Sequence, residues 1–372
     1  MARTPLAQVL PDFPWDSLAD AKARAGAHPD GIVNLSVGNP VDSIAPGVQL
    51  ALADAGANPG YPQTIGTEQL REAIVEAADR RYGIAGLTGE SVLPVIGTKE
   101  AIAWLPTALG LQRAESSVVI PELAYPTYEV AARLAGAEVI RADSTVALGP
   151  ARPDIIFLNS PSNPTGRVLG VEHLRKVVEW ARERGTIVAS DECYLGFGWD
   201  DDKLPVSILN PEVCGGDHTG LLAVHSLSKT ANLANYRAGF IAGDKRLIAE
   251  LTQVRKHAGL IVPGPIQAAM TAALNDDDSE TIQRARYASR RFKLMRALNS
   301  AGFTIEHSEA GMYLWATRGE DGRESVAWLA ERGILVAPGD FYGPAGKEFI
   351  RVGLNGTDER IAAACERLTA TN

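Results

Sequence analysis

A single lysine, Lys229, lies among small hydroxyl-bearing residues in the segment HSLSKTANLANYRAG, residues 225–239. Ser226 and Ser228 precede this lysine, and a second cation, Arg237, follows it by eight positions. Partial burial and a neighbouring cation both lower the pKa of an ammonium group, so a lysine in this setting is a candidate amine nucleophile. Its ordinary alternative is a solvated surface lysine.

Three further groups of polar residues follow short apolar segments. Thr98 and Lys99 follow VLPVIG and open a helical pattern, where free backbone N–H groups favour an anion such as phosphate. Asn163 lies in NSPSNPTG after DIIFL, and Asp191 and Tyr194 follow TIVAS. Each group alone also fits a helix cap or a turn. Because ligands of open α/β sheets bind at the carboxyl ends of strands, we expect these residues to converge.

The apolar segments alternate with amphipathic helical patterns through the middle of the chain. VLPVIG precedes KEAIAWLPTAL, SSVVIP precedes PTYEVAARLAG, and DIIFLN precedes VEHLRKVVEWARERG. Short buried strands separated by helices predict βαβ units and a mostly parallel sheet covered on both faces. The sequence therefore predicts an α/β fold whose large domain covers residues 45–275.

A second unit is predicted from the two ends of the chain. The long helical pattern SETIQRARYASRRFKLMRALNSAG is interpreted as a connector, and an α+β pattern from FTIEHS to DERIAAACERLTA follows it. The first 40 or so residues have no sheet pattern of their own, and we expect them to pack on the C-terminal unit. The predicted small domain therefore comprises residues 1–44 and 276–372.

Composition restricts the partners of the chain. Its 372 residues carry a net charge of -9, which argues against a general attraction to nucleic acid or anionic membranes.

No apolar run approaches the roughly 20 residues of a membrane span, and the N-terminus lacks the apolar region of a signal peptide. The cysteines and histidines lack the spacing of metal ligands, so no metal site is predicted. We expect a cytoplasmic protein that acts on small molecules.

One cofactor uses all of the residue types identified above. Pyridoxal 5'-phosphate requires a lysine for a Schiff base and a carboxylate beside its pyridinium nitrogen. It also requires a helix N-terminus with hydroxyls and an arginine for its phosphate. Pyridoxal phosphate is therefore the predicted cofactor.

The sequence resembles the class I aminotransferases of the fold-type I pyridoxal-phosphate enzymes. The run Ser226-Leu227-Ser228-Lys229 followed by Arg237-Ala238-Gly239 matches the family's lysine signature throughout. The segment SPSNPTG and the pair Asp191 and Tyr194 match two further family motifs. The resemblance extends from GYPQTIGTEQLREAI through FIRVGL. It implies a large domain with a mostly parallel seven-stranded sheet between helices, plus a smaller α+β domain.

The resemblance implies specific roles for these residues. Lys229 would hold the cofactor covalently and later move protons, and Asp191 would pair with the pyridinium nitrogen. Asn163 and Tyr194 would hydrogen-bond the phenolate oxygen of the ring, and Tyr125 would stack on the ring. The implied phosphate-binding residues are Thr98, Lys99, Ser226, Ser228 and Arg237.

Substrate binding and assembly are implied in the same way. Arg351, in FIRVGL, would bind the substrate α-carboxylate as a bidentate fork, with Gly38 and Asn163 beside it. Tyr61 would reach the phosphate of the neighbouring subunit, which implies a homodimer. The substrates would be an amino acid and a 2-oxo acid.

Less specific segments resemble the actinobacterial succinyldiaminopimelate aminotransferases of lysine biosynthesis. They are the opening LPDFPWDSLADAKARAGAHPDGIVNLSVGNPVD, VPGPIQAAM and GMYLWAT. They imply N-succinyl-LL-2,6-diaminopimelate and 2-oxoglutarate as substrates. Open alternatives are N-acetylornithine, aspartate or an aromatic amino acid as substrate, and a pyridoxal-phosphate C–S lyase. A ligand-sensing regulator is disfavoured because the chain carries no added basic domain.

Overall fold

The computed structural model describes residues 5–113 and 115–370. Its α-helices are α1 (Ala19–Gly26), α2 (Pro46–Ala55), α3 (Glu68–Tyr82), α4 (Thr98–Ala108), α5 (Thr127–Ala135), α6 (Thr145–Leu148), α7 (Val171–Arg184), α8 (Pro211–Cys214), α9 (Leu227–Thr230), α10 (Lys245–Ala258), α11 (Gly264–Leu274), α12 (Asp277–Ser300), α13 (Gly322–Glu331) and α14 (Asp358–Thr369). Its strands are β1 (Val33–Asn34), β2 (Val92–Ile96), β3 (Ser117–Ile120), β4 (Glu138–Arg141), β5 (Ile155–Asn159), β6 (Ile187–Asp191), β7 (Leu221–Ser226), β8 (Ala238–Gly243), β9 (Thr304–Glu306), β10 (Tyr313–Thr317), β11 (Ile334–Leu335), β12 (Ala337–Pro338) and β13 (Ile350–Gly353). Short 3-10 helices cover Leu6–Gln8, Pro14–Leu18, Asp201–Lys203, Gly339–Tyr342 and Pro344–Gly346.

The large sheet contains seven strands in the order β2-β8-β7-β6-β5-β3-β4. Strand β8 runs antiparallel to β2 and β7, and the remaining pairs are parallel. This arrangement confirms the predicted mostly parallel seven-stranded sheet. The adjacent parallel strands β6 and β7 end at Asp191 and Ser226, so their carboxyl ends bring those two residues to one edge of the sheet.

Both faces of the large sheet are covered, which explains its uninterrupted apolar strands. Along β7, Leu221 and Ala223 enter one buried cluster, whereas Leu222 and Val224 enter another on the opposite face. Because alternate residues of a strand point to opposite faces, a strand buried on both sides is apolar at every position.

The smaller unit contains an antiparallel sheet in the order β12-β13-β10-β9, packed with residues of α12, α13 and α14 into a third buried cluster. This confirms the predicted second α+β unit. The N-terminal segment adds the two-residue strand β1, which pairs with β11. A strand of two residues is too short to show a periodic pattern, so the sequence did not indicate this pairing. The domain boundaries at residues 44 and 275 stay a prediction.

Helix α12 is the long helix that the sequence predicted as a connector. Arg290, on this helix, is 2% exposed and donates to Asp42 at 2.6 and 2.7 Å and to Asp358 at 2.9 Å. These bonds tie α12 to the N-terminal segment and to α14. Within the described residues, no helix is long and apolar enough to cross a membrane.

Candidate active site

A cavity of about 680 Å³ lies where strands β6 and β7 end. It contains every predicted site residue except Tyr61. Its lining consists of Trp15, Val37, Gly38, Asn39, Pro40, Thr98, Lys99, Tyr125, Asn163, Asp191, Cys193, Tyr194, Ser226, Ser228, Lys229, Asn232, Ala234, Asn235, Arg237, Tyr313 and Arg351. The expected convergence of residues from distant segments therefore occurs.

Asp191 is a buried carboxylate in this cavity. The Tyr128 hydroxyl donates to its Oδ2 at 2.7 Å, and the backbone N–H of Cys193 donates to its Oδ1 at 3.2 Å. Burial raises the pKa of Asp191, which is 6% exposed. No Lys, Arg or His of the described chain forms a salt bridge with it. The carboxylate can therefore accept a cationic ligand group, which would relieve its desolvation.

Arg351 is a buried cation in the same cavity, 2% exposed on β13. Its NH1 donates to Oδ1 of Asn163 at 2.7 Å, and its NH2 donates to the carbonyl oxygen of Ser36 at 2.6 Å. The guanidinium carbon lies 3.8 Å from the centroid of the Tyr313 ring. Among residues 5–113 and 115–370, no carboxylate pairs with this arginine. An anionic ligand group would complete its coordination.

Lys229 lies just beyond β7, in α9, and is half-buried. Its Nζ donates to the carbonyl oxygen of Gly38. Burial lowers the pKa of Lys229, and the nearby Arg351 and Arg237 lower it further. A larger fraction of the amine is therefore uncharged and nucleophilic near neutral pH. Glycine is needed at position 38 because the Tyr313 hydroxyl occupies the place where a Cβ would lie.

One end of the cavity gathers hydroxyls, cations and a helix N-terminus. Helix α4 begins at Thr98, directly after Gly97, whose φ of +75° favours glycine. A Cβ at Gly97 would also collide with the guanidinium of Arg237, so the chain passes close to that side chain. Burial and Arg237 lower the pKa of Lys99. Ser226 and Ser228 add hydroxyls to the same cavity. This donor set suits a phosphate.

Two tyrosines lie between the charged groups. The hydroxyl of Tyr194 is 3.2 Å from that of Tyr313, and burial strongly raises the pKa of Tyr194. Burial raises the pKa of Tyr125 to about 12. Both phenols are therefore protonated at neutral pH and available as hydrogen-bond donors. With the buried Asn163, they give the middle of the cavity neutral polar groups.

Sequence reasoning missed several residues of this site. Tyr128 lies in the first turn of α5, and Tyr125 precedes that helix by two positions; their rings meet edge-on with centroids 5.8 Å apart. Tyr313 lies on β10, next to β13 and two residues from Trp315, which pairs with Arg351. Trp15 carries no local signal, because only the folded N-terminal segment brings it to the cavity.

Tyr61 does not join the cavity within a single chain. It lies between α2 and α3 with a relative exposure of 101%. Its predicted role requires a second chain and stays a prediction.

Taken together, the lining fits pyridoxal 5'-phosphate. A buried anion, a half-buried amine, neutral phenols and a cluster of hydroxyls with cations share one cavity. These are the partners that the ring nitrogen, the aldehyde, the phenolate oxygen and the phosphate of this cofactor require.

Comparisons with known proteins support the same cofactor. A family model described as "Aminotransferase class I and II" matches residues 30–368. The chain is 67% identical over 368 residues to a probable aminotransferase, Rv1178, of Mycobacterium tuberculosis, covering 99% of this chain and 87% of the relative. It is 56% identical to the 4-dedimethylamino-4-oxo-anhydrotetracycline transaminase OxyQ of Streptomyces rimosus, covering 97% and 99% of the two chains.

More distant relatives are also described as aminotransferases. The chain is 31% identical to an LL-diaminopimelate aminotransferase of Dehalococcoides mccartyi, covering 96% of each chain. A solved aminotransferase structure from Staphylococcus aureus superposes with a TM-score of 0.87 at 26% identity, covering 99% of this chain and 98% of that one.

Proposed function

Because the chain belongs to the class I and II aminotransferase family, we propose that it transfers an amino group between N-succinyl-LL-2,6-diaminopimelate and 2-oxoglutarate. Family membership gives the reaction class, which is pyridoxal-phosphate-dependent amino transfer between amino acids and 2-oxo acids. The bound cofactor supplies an electron sink for removal of the substrate α-proton. The identity of the substrate is the proposal.

One observation carries the assignment of the site: Asp191 and Arg351 are buried, have no counter-ion within the described residues, and face one cavity. A buried charge is costly unless it is paired, and a single cofactor–substrate complex supplies both missing partners. In this proposal Asp191 holds the protonated ring nitrogen of the cofactor. Arg351 holds the α-carboxylate of the substrate through a two-bond fork.

The other residues act between these two anchors. The Nζ of Lys229 would bind the cofactor, and, once the substrate amine has displaced it, the free amine would carry the proton from the substrate Cα to the cofactor carbon. Burial lowers the pKa of this nitrogen, which increases the fraction that is uncharged and able to accept a proton. Tyr194 and Asn163 donate to the phenolate oxygen of the cofactor. Tyr125 covers one face of the ring.

The polar residues that line the cavity support a polar, extended substrate. Asn39, Asn232 and Asn235 belong to the lining of the whole cavity, as do Gly38 and Pro40. Amide groups can hydrogen-bond both a succinyl amide and a second carboxylate. A volume of about 680 Å³ lies within the usual range for small-molecule sites. The relationship to LL-diaminopimelate aminotransferases supports the same substrate class.

A panel of amino donors tests the substrate. With 2-oxoglutarate as acceptor, N-succinyl-LL-2,6-diaminopimelate is expected to give a kcat/KM about 10²-fold or more above aspartate, phenylalanine or N-acetylornithine. The reason is that donors lacking the distal carboxylates leave polar groups of the site unpaired. Steady-state kinetics with the purified holoenzyme measure this ratio. If N-acetylornithine or an aromatic amino acid is the best donor, the succinyldiaminopimelate assignment is wrong.

A second candidate substrate comes from the 56% identity to OxyQ, a transaminase named for a tetracycline ketone. Such a polycyclic ketone has no α-carboxylate. Arg351→Lys removes the fork, and a charged hydrogen bond is worth about 1.5–3 kcal/mol, or about 10–100-fold in kcat/KM. A loss of this size in both half-reactions supports two amino-acid-like substrates. A loss confined to the donor half-reaction supports the ketone.

We further propose that the active unit is a two-fold dimer in which Tyr61 reaches the partner's phosphate site. Tyr61→Phe is expected to weaken pyridoxal-phosphate binding about 10-fold or more, because a hydrogen bond to a charged group is lost. Equilibrium titration of the apoenzyme with cofactor measures the change in Kd. Phe292→Ala is the control. Phe292 is also an exposed aromatic residue, but it lies on α12, and its replacement should leave Kd unchanged.

Mixed dimers test whether the site is shared. A dimer of one Tyr61→Phe chain and one Lys229→Ala chain contains one site with both native residues, provided that each site combines Lys229 of one chain with Tyr61 of the other. The mixture should therefore recover a fraction of sites with native affinity. A fully active monomer at assay concentration would contradict the proposal.

A further inference from the structure

Two buried polar side chains lie directly behind the cavity. Glu192 follows Asp191, and His225 precedes Ser226. Because neighbouring residues at these strand ends point to opposite faces, Asp191 and Ser226 face the cavity while Glu192 and His225 face away from it. Glu192 is 2% exposed and His225 is 4% exposed.

The two side chains face each other with no other partner at the facing atoms. Oε2 of Glu192 lies 3.3 Å from Nε2 of His225. Across the part of the chain that the structure describes, neither atom has a hydrogen-bond partner. The other carboxyl oxygen, Oε1, accepts from the backbone N–H of Ile208 at 2.8 Å. Two buried lone-pair atoms at this separation repel unless a proton lies between them.

The surroundings favour an uncharged pair. The imidazole of His225 is stacked between Phe240, with ring centroids 4.9 Å apart, and Tyr82, at 5.8 Å. Burial raises the pKa of Glu192 to about 7 and lowers that of His225 to about 4. Between these values the acid keeps its proton and the imidazole is neutral.

Other charged groups lie around the pair. The Asp191 carboxylate, on the same strand, further raises the pKa of Glu192. Arg81 pairs with Glu280, and Glu280 accepts from the Tyr82 hydroxyl at 3.1 Å, so α3 and α12 present a compensated ion pair on the far side. No described Lys or Arg forms a salt bridge with Glu192. The Ile208 N–H and the Ser190 and Ser207 hydroxyls stabilise the charge of Glu192 only in part, and within the described residues His225 is the one basic side chain beside it.

We propose that Glu192 and His225 share one proton as a neutral acid–imidazole pair, and that they act as positioning residues for Asp191 and Ser226. The carboxylic acid donates to Nε2, which fixes the ends of β6 and β7 against each other. The neutral pair also keeps a negative charge away from the hydroxyl of Ser226. The link to phosphate binding rests on the proposed cofactor site, whereas the shared proton does not.

The sign of the pH dependence follows from the raised pKa of Glu192. The unfolded carboxyl loses its proton near its ordinary pKa, and the folded one loses it near pH 7. Between these values the folded Glu192 binds one more proton than the unfolded residue, so its contribution to stability falls as pH rises. His225 contributes the opposite slope below its ordinary pKa, because burial lowers its pKa to about 4, but it is present both in the native enzyme and in a Glu192 variant. Above pH 7 a carboxylate replaces the acid behind Ser226, which disfavours a phosphate there.

Glu192→Gln tests the pair because an amide can donate a hydrogen bond in place of the acid but has no titratable proton. Melting of the holoenzyme is followed from pH 5 to 8.5. Relative to that of Glu192→Gln, the Tm of the native enzyme is expected to decrease as pH rises, by a few degrees across this range. Glu179→Gln, at an exposed glutamate of α7, should behave like the native enzyme. Equal slopes in native enzyme and Glu192→Gln would overturn the shared proton.

Two further measurements separate a positioning role from simple packing. At pH 6 the infrared spectrum of the native enzyme should contain a protonated-carboxyl band that Glu192→Gln lacks; its absence contradicts the neutral acid even if the variant folds poorly. From pH 6 to 8.5 the Kd of pyridoxal phosphate should rise several-fold in the native enzyme and less in Glu192→Gln. Parallel pH profiles of Kd would limit the pair to packing and refute its effect on the phosphate site.

Discussion

Lys229→Ala is expected to lower kcat by about 10²–10⁴-fold from the loss of proton transfer alone, and by more if the covalent link to the cofactor also speeds exchange with substrate. The half-buried Nζ of Lys229 has a lowered pKa and contacts the backbone of Gly38 inside the cavity. Alanine supplies neither a nucleophile nor a base at that place. Single-turnover kinetics with a saturating amino donor measure the loss.

Lys99 provides the matched control, because it is the other lysine that lines the cavity. Borohydride treatment of the native holoenzyme should attach the cofactor irreversibly to the peptide that contains Lys229. The same label should appear in Lys99→Ala, with weaker cofactor binding because a phosphate partner is lost, and should be missing in Lys229→Ala. Label on the Lys99 peptide would contradict the assignment of Lys229.

Much of the fold could be predicted because its signals are local. Strand β7 is apolar at every position before Ser226, and the helical pattern of α7 is amphipathic, so βαβ units were recognisable from period and composition alone. Parallel strands then place their carboxyl ends at one edge. That geometric rule is why Asp191 and Lys229, 38 positions apart, could be expected in one site.

The missed features depend on register and on distant packing. Tyr128 acts on Asp191 only because α5 docks with that hydroxyl over the end of β6. The pairing of Glu192 with His225 requires β6 and β7 to be neighbours in a particular register, and no periodic pattern encodes register between parallel strands. The role of Tyr61 stays a prediction because it requires a second chain. The domain boundaries also stay a prediction.

Asp191→Asn is expected to retain the cofactor but to lower kcat by about 10²–10³-fold, the cost of removing one preorganised charged or hydrogen-bonding group from an active site. The amide is nearly isosteric: its single oxygen can accept from the Cys193 N–H, and its NH2 then faces the Tyr128 hydroxyl, which can rotate to accept from it. It is neutral, so it cannot stabilise a proton on the ring nitrogen. Without that proton the ring is a weaker electron sink, and the step that slows is removal of the Cα proton. A deuterium isotope effect at Cα that is larger in the variant than in the native enzyme would locate the loss in that step.

Tyr128→Phe separates charge from orientation at the same carboxylate. It removes the 2.7 Å hydrogen bond but leaves the negative charge, so its loss in kcat should be well below that of Asp191→Asn. A cofactor analogue methylated at the ring nitrogen carries a permanent positive charge and should recover part of the rate in Asp191→Asn. The analogue supplies the charge that the asparagine can no longer hold in place. Near-native turnover of Asp191→Asn with the ordinary cofactor would instead mean that Asp191 serves only to fix Tyr128 and the chain at Cys193.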